Sequence, residues 1–361
     1  MSRRDIHYWK CDRLAAFFGT RERRPVTPEL EQQLGEALTQ HFQPEKLTLS
    51  PGCGQGNHLT WNVELDGEPL FIRVENGPEN DDYLEMESAV LKAVESVGVR
   101  VPKVYGCDAS RTQVPFAWQA LERFSHRDLN HWYKQGVLDS STVAFEIGRS
   151  IARWQAVVPI GFGPFDLDTY RLTGEMRGLH ADYATWFTLR LDRHLDDLVE
   201  SDFLTARQRE RIAGAIREHE ALLQFRQGCL VHKDLALWNI LGDPDHVVAF
   251  IDFDDSISGD PMDDLSLLAC FHDGAFVERA VAGYESIRPF PPDSRRRLWL
   301  HLLRNMIVKA VIRVGAGYFD RNAELFLFGP GGTGQSLRQQ TEHRIETALK
   351  GLQTNMEFSI L

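Results

Sequence analysis

Apolar positions near the start of the chain return first at helical and then at strand spacing. After Pro28, the residues Leu30, Leu34, Ala37, Leu38, His41 and Phe42 recur every three to four positions and predict an amphipathic helix. Lys46–Ser50 and Leu59–Leu65 then read as strands, with Pro69–Glu75 as a third, reached from the second through the turn pair Asp66-Gly67. A helix over Asp81–Val97 and strands at Val101–Tyr105 and Phe116–Leu121 complete a small unit. Beyond Glu122 the period changes. Helical spacing runs through Phe145–Val157, Ala181–Leu198 and Thr205–Leu223, a β-hairpin interrupts over Leu230–Asp255, and helices resume from Asp263 to Tyr318. The pattern predicts an α+β chain in three parts. Residues 1–44 form an N-terminal extension and helix, 45–122 a lobe built on an antiparallel sheet with one key helix, and 123–361 a mostly helical lobe, with a cleft between the lobes.

Composition narrows the classes. Hydrophobic residues at 43% and charged residues at 25% exclude disordered and fibrous chains. Lys plus Arg number 40 against 52 Asp plus Glu, a net charge of −12. Such a surface repels phosphate backbones and anionic lipid, so neither nucleic acid nor membrane is an expected partner. The five cysteines (Cys11, Cys53, Cys107, Cys229 and Cys270) are never spaced as a metal-binding pair, which points to a reducing compartment. The first residues carry no apolar signal region, and no run approaches the roughly 18 apolar residues that span a bilayer. The expected location is the cytoplasm.

The densest chemistry lies in the hairpin region. Val231-His232-Lys233-Asp234 leads to Asn239, and Asp252 follows in Phe250-Ile251-Asp252-Phe253-Asp254-Asp255. The turn signal Gly242-Asp243-Pro244-Asp245 separates two apolar runs. If Asn239–Leu241 pairs antiparallel with Val247–Ile251, Asn239 and Asp252 return beside each other. An amide oxygen and a carboxylate at one hairpin end suit a hard cation such as Mg²⁺. Asp234, on the loop entering that hairpin, is placed to orient a hydroxyl without itself binding metal. A transition-metal hydrolase built on His232, Asp234 and Asp252 is disfavoured, because only one histidine is at hand and a lysine separates it from Asp234.

At His232, Asp234, Asn239 and Asp252 the chain resembles the aminoglycoside phosphotransferase and choline kinase family, relatives of the protein kinases. The segment Gly259-Asp260-Pro261-Met262-Asp263-Asp264-Leu265 matches another of its motifs. The resemblance covers roughly residues 44–318. It implies a two-lobed, protein-kinase-like fold, Asp234 as catalytic base, and Asn239 and Asp252 as ligands of Mg²⁺ on ATP.

Two further elements fit a nucleotide. Pro51-Gly52-Cys53-Gly54-Gln55-Gly56-Asn57 lacks the lysine of a Walker loop and is followed by a strand, so it reads as a flap over phosphates rather than a P-loop. Gly52, Gly54, Gln55, Gly56 and Asn57 are its candidate contacts. Arg73 lies mid-strand, and Glu87 falls on the apolar stripe with Val90, Leu91 and Val94, where a carboxylate needs a partner. Arg73 is the candidate partner, in a position where relatives commonly carry lysine. ATP is expected beneath the flap, with adenine against the segment 119–123, including Gln119 and Leu121.

These readings converge on an ATP- and Mg²⁺-dependent small-molecule kinase. The acceptor classes are an aminoglycoside, an amino sugar or other monosaccharide, and an amino alcohol, with Asp182, Asp273 and Arg304 as candidate contacts. Asp254, Asp255, Asp263 and Asp273 read equally as an acidic pocket for an amine or as loop-ordering groups. The alternative reading is a nucleotide-binding pseudokinase acting as a regulator, which Arg73 leaves open. Gly329-Pro330-Gly331-Gly332-Thr333-Gly334 reads as a linker.

Overall fold

A computed structural model describes residues 8–12, 26–52, 58–76, 80, 82–321 and 333–361. Flap residues Gly54, Gln55, Gly56 and Asn57 lie outside the described residues, as do residues 329–332 of the second glycine-rich stretch. The chain divides into two compact units, Met1–Ser96 with Arg100–Ser125, and Val97–Val99 with His126–Leu361.

The first unit is an antiparallel sheet in the order β1-β2-β3-β5-β4, made of β1 (Leu47–Pro51), β2 (His58–Leu65), β3 (Glu68–Glu75), β4 (Val104–Asp108) and β5 (Trp118–Glu122). The Asp66-Gly67 turn joins β2 to β3 with positive φ at both residues, 52° and 90°, as a type I′ hairpin turn requires. Helix α1 (Pro28–Phe42) starts at Thr27, whose hydroxyl caps the Leu30 amide, and buries Leu30, Leu34, Ala37 and Leu38. They share a core with Trp61, Ile72, Val74 and Trp118 of the sheet, so the first helix is part of this unit. Helix α2 (Tyr83–Ser96) buries Leu84, Met86, Glu87, Val90, Leu91 and Val94. The strand expected at Val101–Tyr105 runs instead over Val104–Asp108, since Pro102 has no N–H to give a ladder.

The second unit is mostly helical. Its helices are α3 (Leu129–Lys134), α4 (Ser140–Trp154), α5 (Leu167–Thr173), α6 (Tyr183–Thr188), α7 (Leu191–Glu200), α8 (Ala206–Glu218), α9 (Met262–Ala269), α10 (Gly274–Glu285), α11 (Ser294–Gly315) and α12 (Gly334–Thr354). The helical stretch read over 181–198 breaks at Leu189-Arg190, where Arg190 takes φ 59°. Proline residues 289, 291 and 292 interrupt the later one, before α11. Two sheets accompany the helices. β9 (Ile240–Asp243) and β10 (His246–Phe250) form the expected hairpin, with Phe250 opposite Ile240. A four-stranded sheet, β7-β6-β11-β8, joins Gly178–His180, Phe162–Phe165, Ile257–Gly259 and Cys229–Val231. Its strands of three or four residues are too short to show an alternating pattern. Among the described residues no helix is long and apolar enough to cross a membrane.

Candidate active site

The chemistry-bearing residues of the second unit stand on two connections of that small sheet. From β8 the chain passes through His232, Lys233 and Asp234 to a helical turn at Leu237–Asn239 and then into the hairpin. From β10 it passes through Ile251 and Asp252 to a turn at Phe253–Asp255 and on to β11. The hairpin closes the circuit: the Ile251 amide donates to the Asn239 carbonyl at 3.0 Å, which brings Asp252 next to Asn239 along the ladder. Asp252 adopts φ 67° and ψ 51°, a left-handed conformation that aspartate tolerates better than most residues.

Asn239 is buried, and its amide is oriented by its partners. Nδ2 donates to the Asp234 carbonyl at 2.8 Å and to Asp234 Oδ2 at 3.4 Å. A carbonyl can only accept, so the amide is set with nitrogen toward Asp234 and Oδ1 on the other side. Asp234 and Asp252 are both half-buried.

His232 is fully buried and ties the two connections together. Its Nδ1 accepts from the Asp234 amide at 3.3 Å while Nε2 donates to the Ile251 carbonyl at 3.0 Å. Below it Asp264, near the start of α9, accepts from the amides of His232 (3.0 Å) and Lys233 (3.1 Å) and from Trp154 Nε1 (3.0 Å). Burial pushes the Asp264 carboxyl up to about 7, against the pull of those donors. The Lys233 ammonium reaches both oxygens of Asp263, at 2.8 and 3.0 Å, and Asn305 Oδ1 at 2.9 Å. Burial alone would raise the Asp263 carboxyl, but Lys233, with His301 and Asn305, brings it below its ordinary value. Asp260 is likewise buried, yet His301 and Arg297 hold it down at about 2.

These contacts assign work to residues whose role the sequence left open. The segment 259–265 anchors the loop carrying Asp234 through Asp263 and Asp264, while Asp260 grips α11. A matching motif marked the segment, but nothing in the sequence paired its carboxylates with residues thirty positions away. The acceptor candidates also have local partners: Asp182 caps α6 through Thr185, Asp273 caps α10 through the Phe276 amide, and Arg304 donates to the carbonyls of Phe187 and Leu189 and lies against His194 Nδ1. Asp263 is held by Lys233, so the loop-ordering reading applies to it.

In the first unit Arg73 on β3 meets Glu87 on α2, Nη1 to Oε2 at 2.5 Å, with both side chains buried. Its Nη2 lies 2.7 Å from His58 Nδ1, a partner that sequence spacing did not indicate. Gln119 is fully buried and donates to the Leu84 carbonyl and the Ser88 hydroxyl, which binds β5 to α2. Leu121 is buried in the same strand, opposite Phe71. Gly52 donates its amide to the Thr60 carbonyl at 2.8 Å, at the root of the flap.

A five-stranded sheet carrying a buried cation–carboxylate pair, together with a helical unit carrying the His-Lys-Asp loop and the following hairpin, defines a phosphotransferase of kinase-like fold. The sequence profile of the phosphotransferase enzyme family matches residues 52–299, and the chain belongs to that family. It is an enzyme of the class that phosphorylates hydroxyl groups of small molecules. Solved structures of similar fold include a thermostable mutant of aminoglycoside phosphotransferase APH(4)-Ia in ternary complex with ADP and hygromycin B (16% identity, TM-score 0.60, 87% of this chain and 97% of that one). A candidate aminoglycoside phosphotransferase from Ralstonia eutropha JMP134 has 20% identity and a TM-score of 0.60, covering 89% and 98%. A candidate fructosamine-3-kinase from Thermobifida fusca YX-ER1 has 18% identity and a TM-score of 0.58, covering 86% and 98%. No curated protein sequence matches the chain.

Proposed function

We propose that this phosphotransferase uses ATP and Mg²⁺ to phosphorylate a hydroxyl group of a small molecule, either an aminoglycoside, an amino sugar or other monosaccharide, or an amino alcohol. One observation carries the reading: Asn239 gives its Nδ2 to Asp234 and keeps Oδ1 for another partner, beside Asp252. An amide oxygen and a carboxylate are the hard donors Mg²⁺ prefers, and two protein ligands leave coordination positions for phosphate oxygens and water. When bound, the ion neutralises charge developing on the transferred phosphoryl group, worth several kcal/mol of barrier.

Asp234 accepts the proton of the acceptor hydroxyl as its oxygen bonds to the γ-phosphorus and the bond to the departing ADP breaks. His232 and Asp264 hold the Asp234 loop, and neither reacts. Arg73, set by Glu87 and His58, is the positive charge assigned to the α- and β-phosphates, and Gly52, Gly54, Gln55, Gly56 and Asn57 are the phosphate contacts assigned from the sequence. Gln119 and Leu121 support the adenine side as buried parts of β5. The five cysteines are scattered and never spaced as a metal-binding pair, which fits a reducing, cytoplasmic location.

The test is MgATP consumption over a panel of aminoglycosides, sugars and amino alcohols. Asp234→Ala should lose about 10²–10⁴-fold in turnover while still binding ATP, the contribution of a positioned base. Full turnover in that variant would falsify the assignment. Asp252→Asn should abolish the Mg²⁺ dependence of nucleotide affinity, read by titrating metal at fixed ATP. Nucleotide binding by the native chain without turnover on any acceptor would instead support the regulatory pseudokinase.

A further inference from the structure

Lys233 separates His232 from Asp234, and its backbone and side chain are both unusual for a loop lysine. It takes φ 67°, the left-handed region that a side chain with Cβ seldom occupies. Its ammonium is buried instead of reaching solvent. All three ammonium protons have acceptors at 2.8–3.0 Å: the two oxygens of Asp263 and Oδ1 of Asn305. The acceptors are themselves fixed. Asn305 Nδ2 donates to Asp263 Oδ1 and to the Ser266 hydroxyl, both at 2.8 Å, and Tyr183 donates its hydroxyl to Asp263 Oδ2 at 3.5 Å. Lys233 is therefore pinned to α9 through Asp263 and to α11 through Asn305, and its own amide is pinned to Asp264.

We propose that Lys233 is a positioning residue for Asp234: the tether from its ammonium to Asp263 and Asn305 holds the left-handed turn that aims the next side chain. The proposal rests on Asp234 acting as the base. Rotation about the Lys233 backbone swings Asp234 directly, and displacements near 1 Å are enough to cost about 10²-fold in rate. A lysine serving stability alone would lower the unfolding midpoint and leave turnover per folded molecule unchanged.

Glycine separates the two roles, because it adopts φ 67° without steric cost and removes the tether. The measurement is steady-state MgATP hydrolysis with water as acceptor, below the unfolding temperature of each variant. Lys233→Gly and Lys233→Met should lower kcat at least ten-fold and leave KM for MgATP within two-fold. Asn305→Ala should lower kcat by a smaller factor, and Lys233→Met with Asn305→Ala should be no slower than Lys233→Met alone, since both act through one tether. Full kcat in Lys233→Gly, or additive losses in the double variant, would overturn the proposal. Asp234→Ala keeps it distinct from the reading beneath it. Retained hydrolysis there removes the base itself, whereas lost hydrolysis there with an unimpaired Lys233→Gly removes only the tether. Where neither Lys233 variant folds, Asn305→Ala decides, and an unchanged kcat in it rejects the tether.

Discussion

Asp260, Asp263 and Asp264 stand within five residues, all fully buried, and each carboxylate has a different set of partners. Asp260 has the clearest consequence for pH. Burial would raise its carboxyl, but His301 and Arg297 more than offset this, and it is held at about 2 in the folded chain against an ordinary 3.8. A folded value below the unfolded one means that the unfolded chain binds the proton first as pH falls. The stabilisation is fully present above about pH 4 and is lost progressively as pH falls through 2. Urea midpoints measured from pH 5 to pH 2 should fall over that window, and Asp260→Asn should flatten the curve. An unchanged slope in that variant would assign the acid sensitivity elsewhere. Individual residues were legible to different degrees. The buried position of Glu87 could be read from its place on an apolar stripe, and so could its need for Arg73. Lys233 gave no such signal, because its partner Asn305 lies 72 positions away.

Elements with a strong local signal form as their spacing requires. The Asp66-Gly67 hairpin and the β9–β10 hairpin both do, because turn chemistry and flanking apolar runs act over a few residues. Helix α12 and the β7-β6-β11-β8 sheet were not read. Their residues pair with distant segments, as when Ile257 meets both Pro164 and Val231. Two helices show the same dependence on distant partners. α4 packs against α10 so closely that a Cβ at Gly148 would stand 1.8 Å from the Ala280 carbonyl oxygen, and one at Gly283 would stand 2.0 Å from that of Phe145. Backbone cannot retreat as a flexible side chain can. Gly148→Ala and Gly283→Ala should each destabilise the second unit by about 1–3 kcal/mol or more, as overpacking does. Calorimetry is the check, and a midpoint equal to that of the native chain would show that the helices separate freely.

For the whole molecule, ligand linkage provides the reporter. If Asn239 and Asp252 engage MgATP, nucleotide at 100 times its dissociation constant should add about 2.7 kcal/mol to unfolding. The thermal midpoint should rise with MgATP, and Asp252→Asn should remove the Mg²⁺-dependent part. An equal shift with and without metal would count against the pair as metal ligands. At this scale the amino-acid order alone determined the α+β class, the five strands of the first unit, the hairpin that returns Asp252 to Asn239, and the family motifs, because spacing, turn residues and short motifs act over a few residues. The tertiary structure alone decided which partner each carboxylate takes. Asp182 and Asp273 became helix caps, Asp263 closed on Lys233, and Asp264 took three N–H groups. Buried polar atoms require partners, and here those partners come from segments far apart in the chain, a distance over which no periodicity carries information.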